Sequence, residues 1–190
     1  MPRVVVSVVI CWLLASGAQA ATLAGMTLPD TYDVDGQSLA LNGAGLRTFT
    51  IFRIKGYVAG LYLRRPTHDA QAILASAEPK VLVLRFVRAA SKDQVEEEYR
   101  KGEATNCGHG ECSPSDEADF ERLVAAAPGV NPGDTSTFVF TDGRVRVFAN
   151  DRLIGDFADR DLAHHLLAGF IGDHPPTEEL RRALLGLPAD

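Results

Sequence analysis

The side chains in this chain that could do chemistry are Arg47, Tyr57, Arg85, Glu98 and Tyr99, polar groups that the apolar patterning carries into or beside a core. In LRTFTIF, Arg47 shares strand parity with Phe49 and Ile51, so a guanidinium stands in register with bulky apolar side chains. A cation in that setting needs a carboxylate partner or a ligand carrying negative charge. Arg85 sits in KVLVLRFV, residues 80–87, which is apolar on both parities and reads as a central strand. Its head either reaches water at the strand end or meets Arg47 at one end of a cleft between sheet and helices. Two guanidiniums there would bind a carboxylate or phenolate while apolar walls hold the rest of the molecule. In the helix expected after Ser91, Val95 and Tyr99 are spaced i, i+4 and define an inward face, with Glu98 on its flank. Glu98 either pairs with one of the arginines or belongs to a solvated run, Glu96 to Glu98, that leaves them available.

A second group of reactive types is NCGHGECS, residues 106–113, where Cys107 and Cys112 bracket two glycines and His109. A local disulfide is the leading reading in an oxidising compartment, with the glycines supplying the backbone freedom that a small ring needs. Cys107, His109 and Cys112 as zinc ligands is the alternative, and it lacks a fourth donor. His164 and His165 are adjacent on a helix and point to different faces, as a surface or interface pair does. There is no nucleophile elbow, phosphate loop or complete zinc motif, so nothing calls for a cofactor or a metal.

The elements that must position these groups follow from periodicity and turn residues. Strands are expected at 31–41, 47–52, 57–63 and 80–87, with Gly43 and Gly45 making a sharp turn before Arg47. Residues 135–141 and 145–149 flank Asp142-Gly143, a dipeptide that two-residue hairpins prefer. Asn150-Asp151 turns the chain again into 152–157, which completes a meander. Helices are expected at 67–76, at 91–101 with a Ser91/Gln94 capping box, and after Ser113-Pro114. Two more follow: 159–171 places Leu162, Leu166 and Phe170 on one stripe, and 177–185 comes after a Pro-Pro break. Residues 102–113 are left as the longest loop. Hairpins and segregated helices without βαβ alternation argue an α+β fold, an antiparallel sheet with helices over one face.

The segment Leu41 to Leu63, with Gly43, Gly45 and Arg47 followed by Gly60, Tyr62 and Leu63, resembles the N-terminal signature of the chalcone isomerase family. The resemblance extends through the 80–87 strand and the later hairpins and helices. It implies an open-faced β-sandwich with a helical layer, spanning residues 21–190 as one domain. In the plant enzymes of that family an arginine stabilises the substrate oxyanion, and a threonine, a tyrosine and an asparagine assist. Carried over, Arg47 matches the arginine, while Tyr57 stands at the threonine, Ser91 at the tyrosine and Glu98 at the asparagine. Tyr57 shares parity with Ala59, Leu61 and Leu63 and so faces the apolar side. Other members bind fatty acids without catalysis, holding the carboxylate with basic and tyrosine side chains.

Three readings are therefore carried forward. The first is a binder of an amphipathic, carboxylate-bearing small molecule such as a fatty acid, through Arg47, Tyr57, Arg85, Glu98 and Tyr99. The second is an isomerase, an intramolecular lyase, acting on an enone or phenolic substrate with Arg47 and Tyr57 as catalytic groups. The third is an envelope scaffold whose cleft is filled by its own side chains. Residues 1–20 combine a basic start at Arg3, an apolar run from Val4 to Leu14 and Ala18-Gln19-Ala20, the pattern of a cleaved secretory signal peptide. A periplasmic or secreted protein without a stable membrane anchor is expected, since the apolar run is too short to span a bilayer. The formal net charge of −6 is unsuited to nucleic acid and becomes one unit more negative when Arg3 is removed. No feature of the sequence specifies a protein partner.

Overall fold

The computed structural model describes residues 20–49, 52–107 and 112–188. The signal segment expected at 1–20 lies outside these residues except for Ala20, as do Ile51 and His109. Seven antiparallel strands form one sheet in chain order: β3 (Thr31–Val34), β4 (Gln37–Phe49), β5 (Ile54–Leu63), β6 (Lys80–Phe86), β7 (Thr135–Thr141), β8 (Arg144–Ala149) and β9 (Arg152–Phe157). β6 is its central strand, as its two-sided apolar pattern requires. A separate hairpin, β1 (Ala21–Leu23) and β2 (Met26–Leu28), covers part of one face. There Leu28, Leu39, Val58, Tyr62 and Val81 make the smaller of two cores. Over the other face lie α1 (Ala70–Ala75), α2 (Lys92–Cys107), α3 (Pro114–Ala126), α4 (Arg160–Ile171) and α5 (Glu178–Leu184). The larger core is there, built from Leu61, Leu82, Phe138, Leu123, Leu162 and Leu180 among others. This is the expected α+β sandwich. Among the described residues no helix is long and apolar enough to cross a membrane.

Several local expectations hold. Asp142 and Gly143 adopt φ of 43° and 74°, the left-handed pair that a two-residue hairpin needs. Ser91 and Gln94 form the reciprocal capping box, with N···O distances of 3.0 and 3.3 Å. The helices expected at 159–171 and 177–185 form as α4 and α5, and the structure shows Asp159 and Thr177 as their N-caps. Two expectations need correction. The 31–41 strand is two strands, because Asp35-Gly36, with φ of 48° and 75°, makes the same kind of turn as Asp142-Gly143. The loop expected at 102–113 is largely helix, since α2 runs on to Cys107.

The larger correction concerns Gly43 and Gly45. They do not turn the chain; both lie inside the thirteen-residue β4. Their role is to have no side chain. A Cβ on Gly43 would stand 2.1 Å from the Ala183 carbonyl oxygen, and one on Gly45 would stand 2.8 Å from the Ala183 Cβ and 2.9 Å from a Leu180 methyl. The glycines thus let α5 lie directly on β4, burying Leu180, Leu184 and Leu185 to 1% exposure or less. A bulge after Leu41 adds a polar tie: Asn42 Nδ2 donates to the Leu184 carbonyl at 2.8 Å, and Asn42 Oδ1 accepts from the Thr67 amide at 2.7 Å.

Denaturant unfolding checks this account with two glycine substitutions of opposite sign. Gly43→Ala is expected to destabilise by about 2–3 kcal/mol, because a backbone carbonyl blocks the methyl and cannot step aside. Gly102→Ala, in the interior of α2 with open space around the new methyl, is expected to stabilise by up to about 1 kcal/mol.

Candidate functional site

Where α2 passes over the sheet it leaves a gap, and no residue of α2 is fully buried. The gap is a cavity of about 750 Å³, within the range of small-molecule sites. Its floor comes from the sheet through Arg47, Tyr57, Leu84, Phe86 and Phe138, and its roof from α2 through Val95 and Tyr99. Phe120, Leu162, Leu166 and Phe170 close the sides, and His174 to Pro176 close one end. Residues from Gln94 to Cys107 contribute to the wall, so the cavity runs along about 20 Å of helix. The i, i+4 pair Val95 and Tyr99 faces inward as their spacing predicts.

Arg47 reaches this cavity because of the docking just described. Gly43, Gly45 and Arg47 share one face of β4, and the segment leading into α5 runs beside the arginine. Arg47 Nη1 donates to the Pro176 carbonyl at 2.7 Å, and its guanidinium carbon lies 4.7 Å from the centre of the Phe49 ring. Among the described residues no carboxylate pairs with it. A guanidinium carries five N–H donors, so one carbonyl and one ring face leave most of its capacity unspent.

Tyr57 is opposite Arg47 in the β4/β5 register and packs edge-on against Phe49 and Phe86. Burial pushes its phenol well above the ordinary range; the Arg47 charge pulls the other way, and Glu98 adds to the rise. Tyr99, edge-on to Phe120, is raised too, by burial first and then by Tyr57. Both phenols therefore stay protonated at neutral pH and act as neutral donors. Neither hydroxyl has a hydrogen-bond partner among the described residues. Glu98 lines the cavity, but its carboxylate pairs with Lys101 at 3.2 Å and not with an arginine. Its helix flank is the charged run foreseen from the sequence.

Arg85 is not part of this site. It pairs in register with Val58 and Thr135, so its side chain emerges on the opposite face of the sheet from Arg47, Tyr57 and Phe86. There it donates to the Thr27 carbonyl at 3.1 Å, from β2 of the covering hairpin. The expected convergence of two arginines fails because strand residues one position apart point to opposite faces, and Phe86 holds the cavity side. Of the two expected arginines, only Arg47 lines the cavity.

The far part of the wall contains a group that sequence reasoning missed. The Cys107 and Cys112 sulfurs lie side by side, with their Cα atoms 5.1 Å apart. His165 is half-buried, with Nδ1 against the Asp116 carboxylate and 3.4 Å from Cys112 Sγ. The sequence predicts a surface or interface pair at His164 and His165, but His165 lines the cavity, and its ring meets that of His164 edge-on. Asp116 is 2% exposed, and burial raises its carboxyl above the usual range, partly offset by His165. Ser113-Pro114 signalled the first turn of α3, but nothing local linked that turn to α4.

A family profile described as chalcone isomerase-like matches residues 20–186. Among curated protein sequences none matches. Among solved structures the chain is similar to a fatty-acid binding protein of Arabidopsis thaliana, with a TM-score of 0.72 at 15% identity over 88% of this chain and 96% of that one. At that identity the likeness establishes the fold.

The raised phenols carry a pH dependence whose sign is fixed. Between the unfolded tyrosine value of about 10 and the higher folded value, the folded state keeps a proton that the unfolded state has lost, so stability falls as pH rises through that window. Tyr57→Phe is expected to make this alkaline decline shallower in denaturant titrations above pH 10. An unchanged slope would show that Tyr57 is not buried as described.

Proposed function

This chain belongs to the chalcone isomerase-like family, and from that premise we propose that it binds an amphipathic small molecule bearing a carboxylate, of which a fatty acid is the simplest form. The observation that carries the reading is Arg47: a guanidinium with a single hydrogen-bonded carbonyl, opening on an apolar cavity of about 750 Å³. A carboxylate there would take charge-assisted hydrogen bonds from the remaining donors of Arg47 and a neutral one from Tyr57. Tyr99 stands close enough for Tyr57 to raise its phenol, after burial, and supplies a further hydroxyl beside the same end. Phe86, Phe120, Phe138 and Phe170 would take the apolar remainder, and the elongated shape suits a chain better than a compact ring system. The fatty-acid binding character of the plant structural neighbour supports this choice.

The isomerase reading draws on one specific observation, since a protonated Tyr57 beside Arg47 is also a pair of donors suited to a developing oxyanion. Against it, Glu98 places a negative charge near the phenol, where a phenolate substrate would be repelled. A scaffold with a cleft filled by its own side chains does not match the open cavity. The chain's export is part of the same proposal. It is supported by the basic start, apolar run and Ala18-Gln19-Ala20 of residues 1–20, and it places the Cys107–Cys112 pair in an oxidising compartment.

Native mass spectrometry of the purified protein, followed by lipid extraction, tests the binding reading. One bound fatty acid per chain is expected; Arg47→Ala should weaken binding of a defined long-chain fatty acid by about 10- to 100-fold, and Tyr57→Phe by about 3- to 10-fold. Turnover of an enone by the native protein, lost in Arg47→Ala, would favour the isomerase instead. N-terminal sequencing of the protein recovered from a cell envelope fraction is expected to begin at Ala21; an intact Met1 start would refute export by cleavage.

A further inference from the structure

At the part of the cavity wall formed by Cys107, Asp116 and His165, three helices bring three metal-binding donors together and set a carboxylate beside them, independently of anything bound near Arg47. Cys107 is the last residue of α2, Cys112 directly precedes the Ser113 cap of α3, Asp116 lies in the first turn of α3, and His165 comes from the middle of α4. The two sulfurs and a ring nitrogen of His165 all lie within 4.8 Å of one another. A tetrahedral zinc ion, with bonds of about 2.3 Å to sulfur and about 2.0–2.1 Å to nitrogen, sets its sulfur and nitrogen ligands about 3.5 Å apart. Cys112 Sγ and His165 Nδ1 already stand at 3.4 Å. Asp116 Oδ2 rests on that same nitrogen, shielded from water at 2% exposure, and so orients the imidazole without belonging to the donor group.

We propose that Cys107, Cys112 and His165, with Asp116 positioning the imidazole, form a binding site for a zinc-class divalent cation when the Cys107–Cys112 disulfide is reduced, so that the disulfide and the metal are alternative closures of one site. Reduction is a thiol–disulfide exchange with a dithiol. The dithiol gives two electrons and two protons, its own sulfurs become a disulfide, and Cys107 and Cys112 become thiols. The cation then displaces both thiol protons to solvent, taking two thiolates and the neutral His165 imidazole, with a solvent molecule in its fourth position. The position of Cys112 just before a helix N-terminus favours its thiolate form. The nitrogen donor of the set is His165, distant in sequence from the cysteines, where the sequence pointed to His109.

Cobalt(II) is the probe, added to the purified full chain after reduction with a phosphine, which does not chelate the metal. The expected result is one equivalent bound, with thiolate-to-cobalt charge-transfer bands and the intense d–d bands of tetrahedral cobalt, displaced by one equivalent of zinc. The oxidised protein should bind none. His165→Gln and Asp116→Asn should each weaken cobalt by about tenfold or more, and Cys112→Ser should abolish the charge-transfer bands. No uptake by the reduced chain, equal uptake by the oxidised chain, or unaltered affinity in His165→Gln or Asp116→Asn would overturn the proposal. The spectrum and stoichiometry of the unmutated chain decide the matter even where a variant folds poorly. Fatty-acid binding by the oxidised protein is read separately, so either proposal can fail without the other.

Discussion

The close approach of α5 to β4 is the constraint on which the rest of the site depends. Two glycines on one strand face remove the side chains that would hold a helix away, and the helix fills the space with leucines and a backbone carbonyl 2.1 Å from where a Cβ would be. Because α5 is pinned there, the preceding Pro176 is held beside the next residue on the same face, Arg47. The arginine is thus oriented by backbone, not by a carboxylate, and keeps its charge uncompensated at the edge of an apolar cavity. A cation placed by a neutral carbonyl costs more desolvation than one placed by an acid, and it retains more attraction for an incoming anion.

The polar groups around that arginine are arranged to leave it so. Glu98 is drawn to Lys101 on its own helix, and the tyrosines are held neutral by burial, so none of them cancels the guanidinium. The arginine of the central strand, Arg85, is spent on the far face in tying down the β1–β2 hairpin. One sheet therefore uses these two arginines for different ends: one holds a covering hairpin, and the other faces a space large enough for a ligand.

Much of the fold was legible because its signals are local. The Asp142-Gly143 hairpin, the Ser91/Gln94 box, the α4 and α5 helices and the central strand at 80–86 each depend on residues within a few positions of one another. Even the missed Asp35-Gly36 turn carried the right dipeptide, hidden inside a run that alternated well enough to pass as one strand. The glycines were misread because glycine has two uses, positive φ and absence of a side chain, and only a packing partner tells them apart. Parity correctly placed Tyr57 with Ala59, Leu61 and Leu63, whereas for Arg85, in a strand apolar on both faces, parity had nothing to discriminate.

By itself, the sequence determined the α+β class, most of the elements and the family signature around Arg47, since each is encoded by spacing over a short stretch. Tertiary structure alone decided that Arg47 stands without Arg85, that Gly43 and Gly45 seat a helix from the other end of the chain, and that Asp116 and His165 meet at the cysteines. These are contacts between residues from about 40 to more than 130 positions apart, or choices between two faces of a strand that is apolar on both. Their physical basis is shape complementarity between packed elements, which leaves no periodic trace in any one of them.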